Sequence, residues 1–295
     1  MNSGHSGKSG SVISFLFEDL DIRGVIVQLN GAWQDMHRGR NYAAPVRDLL
    51  GQVAAVGALI GANLKAPGRL TFQVQGHGPV SLLVVDCDER LQLRGMARTS
   101  LTTPATTPAA VSASELLGDG RLVLTLQSDA AAQPYQSFVP LEGDSIARIF
   151  EHYLSQSEQQ PARLWLAADA TQAAGLFLQT LPNAAERDPD GWNRIQQLAS
   201  TLRPDELALP AETLLTRLFA EETIRLFAAR PVSYHCPRDE DRVRAMLTSL
   251  GRDEVESILA EHGEIVVKDD ICNHEYRFGA DIVDQLFGSA KRTLH

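Results

Sequence analysis

Leu70-Thr71-Phe72-Gln73-Val74-Gln75-Gly76-His77-Gly78-Pro79-Val80-Ser81-Leu82-Leu83-Val84-Val85 is the stretch that decides the fold class. From Leu70 to Gln75 apolar and polar side chains alternate, which turns one row toward a core and the other toward solvent. Gly76-His77-Gly78-Pro79 supplies a turn, and Val80 to Val85 is a β-branched return strand. Strand, short turn and strand form an antiparallel unit. Outward from it, Leu91 to Ala97, Arg121 to Gln127, Gln136 to Val139, Arg163 to Ala168 and Gly175 to Thr180 read as further strands. Upstream, Ile13 to Phe17 leads into the β-branched run Arg23 to Leu29. Pro45 opens a helix whose apolar residues, Val46 through Leu64, share one face. Ser145 caps a second helix, Ile146 to Gln156. The expectation is an α+β protein, with an N-terminal mixed α/β domain over 12–181 built on a largely antiparallel sheet.

Gly57-x-x-x-Gly61 in the Pro45 helix resembles a membrane dimer motif, yet no spanning segment exists. Close packing of this helix on the sheet is the expectation. The tail over 1–11 is Gly/Ser-rich, is expected to be disordered, and lacks the apolar core of a signal peptide. Its Gly4-His5-Ser6-Gly7-Lys8-Ser9 lacks both the first glycine and the preceding strand of a phosphate loop. Thr99 to Ala113 is a Thr/Pro/Ala-rich loop, expected to be mobile.

The chain has 295 residues, 44% of them hydrophobic, and a net charge of −10. That acidity argues against nucleic acid as the main partner. With 3 cysteines, Cys87, Cys236 and Cys272, there is no secreted disulfide framework. A reducing cytoplasm is the expected compartment, with no membrane partner.

Beyond Leu181 prolines divide the chain into short helical pieces, a helical linker over 182–231. Trp192 to Leu202 and Ala211 to Ala228 read as amphipathic helices; the second presents Leu214, Leu215, Leu218, Phe219, Leu226 and Phe227. That apolar face either docks on the rest of the protein or serves as a client-binding surface once released. Residues 232–290 form a small C-terminal α+β unit. It has helices over Arg242 to Leu250 and Asp253 to His262, and a hairpin from Gly263–Val267 and Glu275–Phe278. A unit this small commonly needs a metal or a crosslink.

Two arms carry the candidate chemistry, Tyr234-His235-Cys236-Pro237-Arg238 and Asp269-Asp270-Ile271-Cys272-Asn273-His274. Each looks like a zinc knuckle with one of its two cysteines replaced.

The chain resembles the thirty-three-kilodalton heat-shock proteins, redox-regulated bacterial chaperones that hold unfolding clients. The residues that carry the likeness are Leu16-Phe17-Glu18-Asp19 with Arg23-Gly24, the Pro45 helix and Gln75-Gly76-His77-Gly78-Pro79-Val80. It continues in Arg94-Gly95-Met96-Ala97, Leu141-Glu142-Gly143-Asp144, Leu250-Gly251-Arg252-Asp253-Glu254-Val255-Glu256-Ser257-Ile258-Leu259 and Gly263-Glu264-Ile265. The resemblance implies an ATP-independent stress-response chaperone rather than an enzyme. It implies a helical linker lying over the first domain and a C-terminal redox-switch domain. In the family, four cysteines bind zinc; oxidation forms a disulfide within each arm, zinc leaves, apolar surface is exposed, and the protein dimerises and binds clients.

By that likeness Cys236 stands at the first cysteine position and Cys272 at the last, with Arg238 and Asp269 at the middle two. Within-arm disulfides are then excluded. If the family geometry persists, the remaining thiols join only across the arms, and that bond is worth roughly 4 kcal/mol before strain. Oxidation would staple the inactive form. Arg238 and Asp269 are expected to pair as a replacement for the metal, leaving a less stable domain that opens on heating or acidification. The residues admit zinc without requiring it, through Cys236, Cys272, Asp269 and either His235 or His274. The alternative function is a thiol oxidoreductase using Cys236 and Cys272, with His235 lowering the thiol pKa.

Overall fold

The computed structural model describes residues 10–64, 66–101, 111–128, 131 and 133–288. Residues 1–9, with the Gly4–Ser9 motif, and the centre of the Thr/Pro/Ala loop lie outside the described residues; Gly10 and Ser11, expected in the disordered tail, instead pair with Val232 and Pro231 in a strand. Two compact units divide the chain, Met1–His235 and Cys236–His295.

The first unit opens with strands β1 (Gly10–Phe17) and β2 (Ile22–Gln28), then helices α1 (Asn30–His37) and α2 (Ala44–Ala62). The meander β3 (Arg69–Gln75), β4 (Val80–Cys87) and β5 (Gln92–Thr99) follows, with Phe72 opposite Val85 and Val74 opposite Leu83. Next come α3 (Ala113–Leu117), β6 (Arg121–Gln127), β7 (Tyr135–Val139), α4 (Ile146–Glu158), β8 (Ala162–Ala168) and β9 (Ala173–Thr180). The chain then runs through α5 (Ala184–Arg187), α6 (Gly191–Ala199), a 3-10 turn (Pro204–Ala208) and α7 (Ala211–Leu218). It ends in the short strands β10 (Ile224–Leu226) and β11 (Arg230–Tyr234).

These strands make one sheet, in the order β7-β6-β3-β4-β5-β11-β1-β2-β9-β8, with β10 also paired to β1. The pairs are antiparallel except β11 with β5. β11 is the seam of the sheet. One of its edges bonds β1 through Val232 and Gly10, and its C-terminal end runs beside β5 through Ser233 and Gln92.

Helix α2 packs on one face of the sheet, and its glycines explain how closely. A Cβ on Gly61 would lie 2.7 Å from the Cys87 sulfur, and one on Gly57 would lie 3.2 Å from Val85. Gly57-x-x-x-Gly61 therefore seats this helix on the sheet. Around it Trp33, Val46, Leu50, Phe72, Leu83, Val85 and Phe150 form the main core. β9 is buried along its whole length because the opposite face of the sheet is covered too. There Phe15, Phe17, Ile22, Ile26, Leu176 and Leu178 form a second core with Ile195, Leu214, Leu215, Leu218 and Phe219.

The amphipathic segment expected to be one helix from Ala211 to Ala228 stops at Leu218. Ile224 to Leu226 instead pair with Phe17 to Phe15, because the open edge of β1 offers these backbone groups partners that override a helical pattern.

The second unit holds α8 (Glu240–Leu250), α9 (Arg252–His262), the hairpin β12 (Ile265–Asp269) with β13 (His274–Phe278), and α10 (Asp281–Phe287). Its core is small: Val243, Leu247, Val255, Ile265, Tyr276, Phe278, Ile282 and Val283. Among the described residues no helix is long and apolar enough to cross a membrane.

Candidate functional site

The second arm is the turn of the β12–β13 hairpin, and its shape comes from two side chains. Asp269 Oδ1 accepts the backbone N–H groups of Ile271 (2.9 Å) and Cys272 (3.3 Å). Asn273 sits at φ +56°, a conformation asparagine tolerates because its short amide bonds locally. The turn brings Asp269 opposite His274 and presents Cys272 inward, where it is buried.

Cys236 and Cys272 are joined as a disulfide with Cα atoms 5.6 Å apart, inside the ordinary range. The bond runs across the arms and closes a separation of 36 residues. Cys87, the free cysteine, is buried against α2, and burial pushes its thiol up to about 12.

Arg238 does not pair with Asp269. Its Nη2 donates to the Glu275 carbonyl at 2.5 Å, and its guanidinium stacks over the Tyr276 ring at 4.9 Å from the centroid. The Tyr276 hydroxyl in turn accepts the N–H of Asp239 (2.9 Å), whose carboxylate caps α8 through Arg242 N (3.0 Å). The expected ion pair fails because Asp269 is already committed to its own turn, whereas β13 offers a carbonyl and an aromatic face. Arg238 thus ties the first arm to the hairpin, although through a different partner. Nothing in the sequence marked Tyr276 for this role.

As placed here, the candidate metal ligands Cys236, Cys272, Asp269 and His274 do not fit zinc. The two sulfurs are spent on each other, and Asp269 Oδ1 faces its own turn's N–H groups. His274 Nδ1 is buried without a hydrogen-bond partner, but among the described residues no three His, Cys, Asp or Glu side chains gather as a metal site. His235 is exposed, and its backbone N–H bonds Leu93 O on β5 (3.0 Å).

The other candidate site is the covered sheet face. Leu214, Leu215, Leu218 and Phe219 are buried there, Leu226 is half-buried, and Phe227 is exposed. Phe219 meets Phe17 edge to face at 5.0 Å, and Phe17 meets Phe15 at 5.6 Å. Phe15 lies flat over Gly24, where a Cβ would strike its ring at 2.0 Å. One polar contact ties this cover to β2, and another braces the cover internally. Gln28 Nε2 donates to the carbonyls of Leu207 and Leu209, both at 2.7 Å, and Arg194 bridges Asp188 (3.0 Å) and Glu222 (2.9 Å).

A family model described as Hsp33 protein matches residues 10–279, across both the covered sheet and most of the small crosslinked unit. The chain belongs to the Hsp33 family. A 33 kDa chaperonin of Methylobacillus flagellatus is 42% identical over 276 residues, 92% of each chain. One of Nitrosococcus oceani is 44% identical over 274 residues, again 92% of each. The solved Hsp33 homolog of Thermotoga maritima superposes with a TM-score of 0.79 at 20% identity, covering 94% of this chain and 97% of that one. The Hsp33 fold is therefore the fold of this chain, and its named relatives are chaperonins.

Proposed function

We propose that the chain is an ATP-independent chaperone that binds unfolding polypeptides, and that its thiol control is inverted. The observation that carries the reading is the apolar face of β1, β2 and β9 under a cover supplied by one stretch of chain. Phe15, Phe17, Ile22, Ile26, Leu176 and Leu178 are capped by one contiguous segment, which packs on them through Ile195, Leu214, Leu215, Leu218 and Phe219 and is tied to β2 by Gln28. Lifting residues 191–219 would expose enough apolar surface to bind unfolded chains without nucleotide chemistry.

The inversion follows from the cross-arm bond. A disulfide between the arms constrains the opened state of the second unit, worth roughly 4 kcal/mol. Oxidation thus favours the closed form, and reduction or heat favours opening. Arg238 partly replaces the metal by tying Pro237–Asp239 to β13.

Aggregation of a heat-unfolded client, followed by light scattering without nucleotide, tests the chaperone reading. The wild-type protein should suppress aggregation on heating, and Phe219→Ser with Leu214→Ser should do so already at resting temperature. If neither protein suppresses aggregation, the reading fails. Replacing Cys236 and Cys272 by serine separates it from the oxidoreductase alternative: a chaperone keeps its activity, whereas a thiol enzyme loses turnover.

A further inference from the structure

The sheet ends at β8, and this edge is held open by side chains. Thr180 N–H bonds Pro161 O (3.1 Å), so Pro161, Arg163 and Trp165 direct their backbone groups at β9. By alternation, the N–H and C=O groups of Ala162, Leu164 and Leu166 point away from the sheet. At Leu164 the place of a neighbouring strand's carbonyl is taken by Glu151, whose Oε1 accepts the buried N–H at 2.8 Å. Glu151 is itself buried, yet its other oxygen lies 3.0 Å from Arg148 and 3.5 Å from Arg163, both partly exposed. Along this edge runs a trough with two lobes of about 510 and 390 Å³. Its walls are α4 on one face of the sheet and α6 on the other; Trp192 lines one lobe and Trp165 the other.

We propose that an extended segment of an unfolded polypeptide with an acidic side chain adds to β8 as an outer strand, displacing Glu151. The added strand supplies the carbonyl that Glu151 imitates and an N–H for Ala162 O, the pairing by which peptides join sheet edges. Its acidic side chain takes over the two guanidiniums that Glu151 releases. Alternate apolar residues rest on Trp165 and Trp192. A second copy of this chain is a poorer occupant, because β8 against β8 brings Arg148 and Arg163 against their own counterparts. The proposal rests on the chaperone reading for its ligand class.

The probe is a fluorescent peptide of alternating valine and threonine with one central glutamate, its binding followed by anisotropy. N-methylation of the amides on one edge of the peptide should weaken binding about tenfold or more, since each methyl removes a backbone donor to the β8 edge. Arg148→Glu with Arg163→Glu should reject this peptide and accept its lysine counterpart, a swap that loss of structure would not produce. Amide exchange at residues 162–166 should slow on binding. Equal binding of the N-methylated peptide, an unchanged charge preference, or protection confined elsewhere would overturn the proposal. Protection at 162–166 that grows with protein concentration alone would make the occupant a second copy, and the peptide occupant would be wrong. Suppression of aggregation by a protein that fails these tests leaves the chaperone reading standing; peptide insertion without suppression removes that reading alone.

Discussion

At the scale of single residues, the second unit is held by a disulfide, an arginine and an aspartate that act separately. Arg238 touches Glu275 and Tyr276, while Asp269 shapes the turn that presents Cys272. Arg238→Ala should lower the unit's stability by about 1 kcal/mol, the scale of one charge-assisted hydrogen bond and a cation–π contact. In a double-mutant cycle by chemical denaturation, Arg238 should couple to Tyr276 but not to Asp269. A coupling with Asp269 above about 0.5 kcal/mol would restore the direct ion pair. Cys87 belongs to another category, since it is buried under Gly61 and burial pushes its thiol up to about 12. After reduction, alkylation of the native protein at neutral pH should modify Cys236 and Cys272 and spare Cys87, which mass spectrometry reads directly. The arms' residues were legible in the sequence by their spacing. Their partners were not, because a carbonyl and a ring on β13 leave no pattern around Arg238.

At the scale of elements, the cover over the sheet is where stability and the proposed activation meet. Phe219→Ala removes a fully packed ring and should destabilise the closed form by ~3–5 kcal/mol. The measurable result is dye binding to the uncovered apolar face at a lower temperature than in the wild type. The Arg194 bridge to Asp188 makes a small, acid-sensitive contribution to the cover. Hydrogen bonding to Arg194, with help from the Asp190 N–H, holds the Asp188 carboxyl below its ordinary value. A carboxylate depressed in this way stabilises the folded form above its unfolded pKa of about 3.9, and that contribution is lost as pH falls through the lower native value. The Asp188–Arg194 clamp should therefore persist at pH ~5 and release only below pH ~4. An Arg194→Ala protein that shows the same acid transition would contradict this. The main strands of the sheet and helices α2 and α4 followed from periodicity and capping, as did the packing of α2 on the sheet, whereas the short helices α1 and α3 did not. The seam at β10 and β11 did not. Strands this short are specified by the open edges of β1 and β5, which only the folded sheet creates.

For the whole molecule, the sheet's two halves meet at β11, which ends at Tyr234, and two residues later the chain reaches the crosslinked Cys236. Family membership was legible because its motifs span the chain; what Cys236 and Cys272 do was open, since chemistry allowed both metal and disulfide. The central claim is that oxidation locks this protein closed. The most direct measurement is suppression of client aggregation across a temperature ramp, comparing peroxide-treated with fully reduced protein. The account predicts that the reduced protein becomes active at the lower temperature, and that replacing both Cys236 and Cys272 by serine makes activity insensitive to peroxide. Activation by peroxide at constant temperature would contradict it.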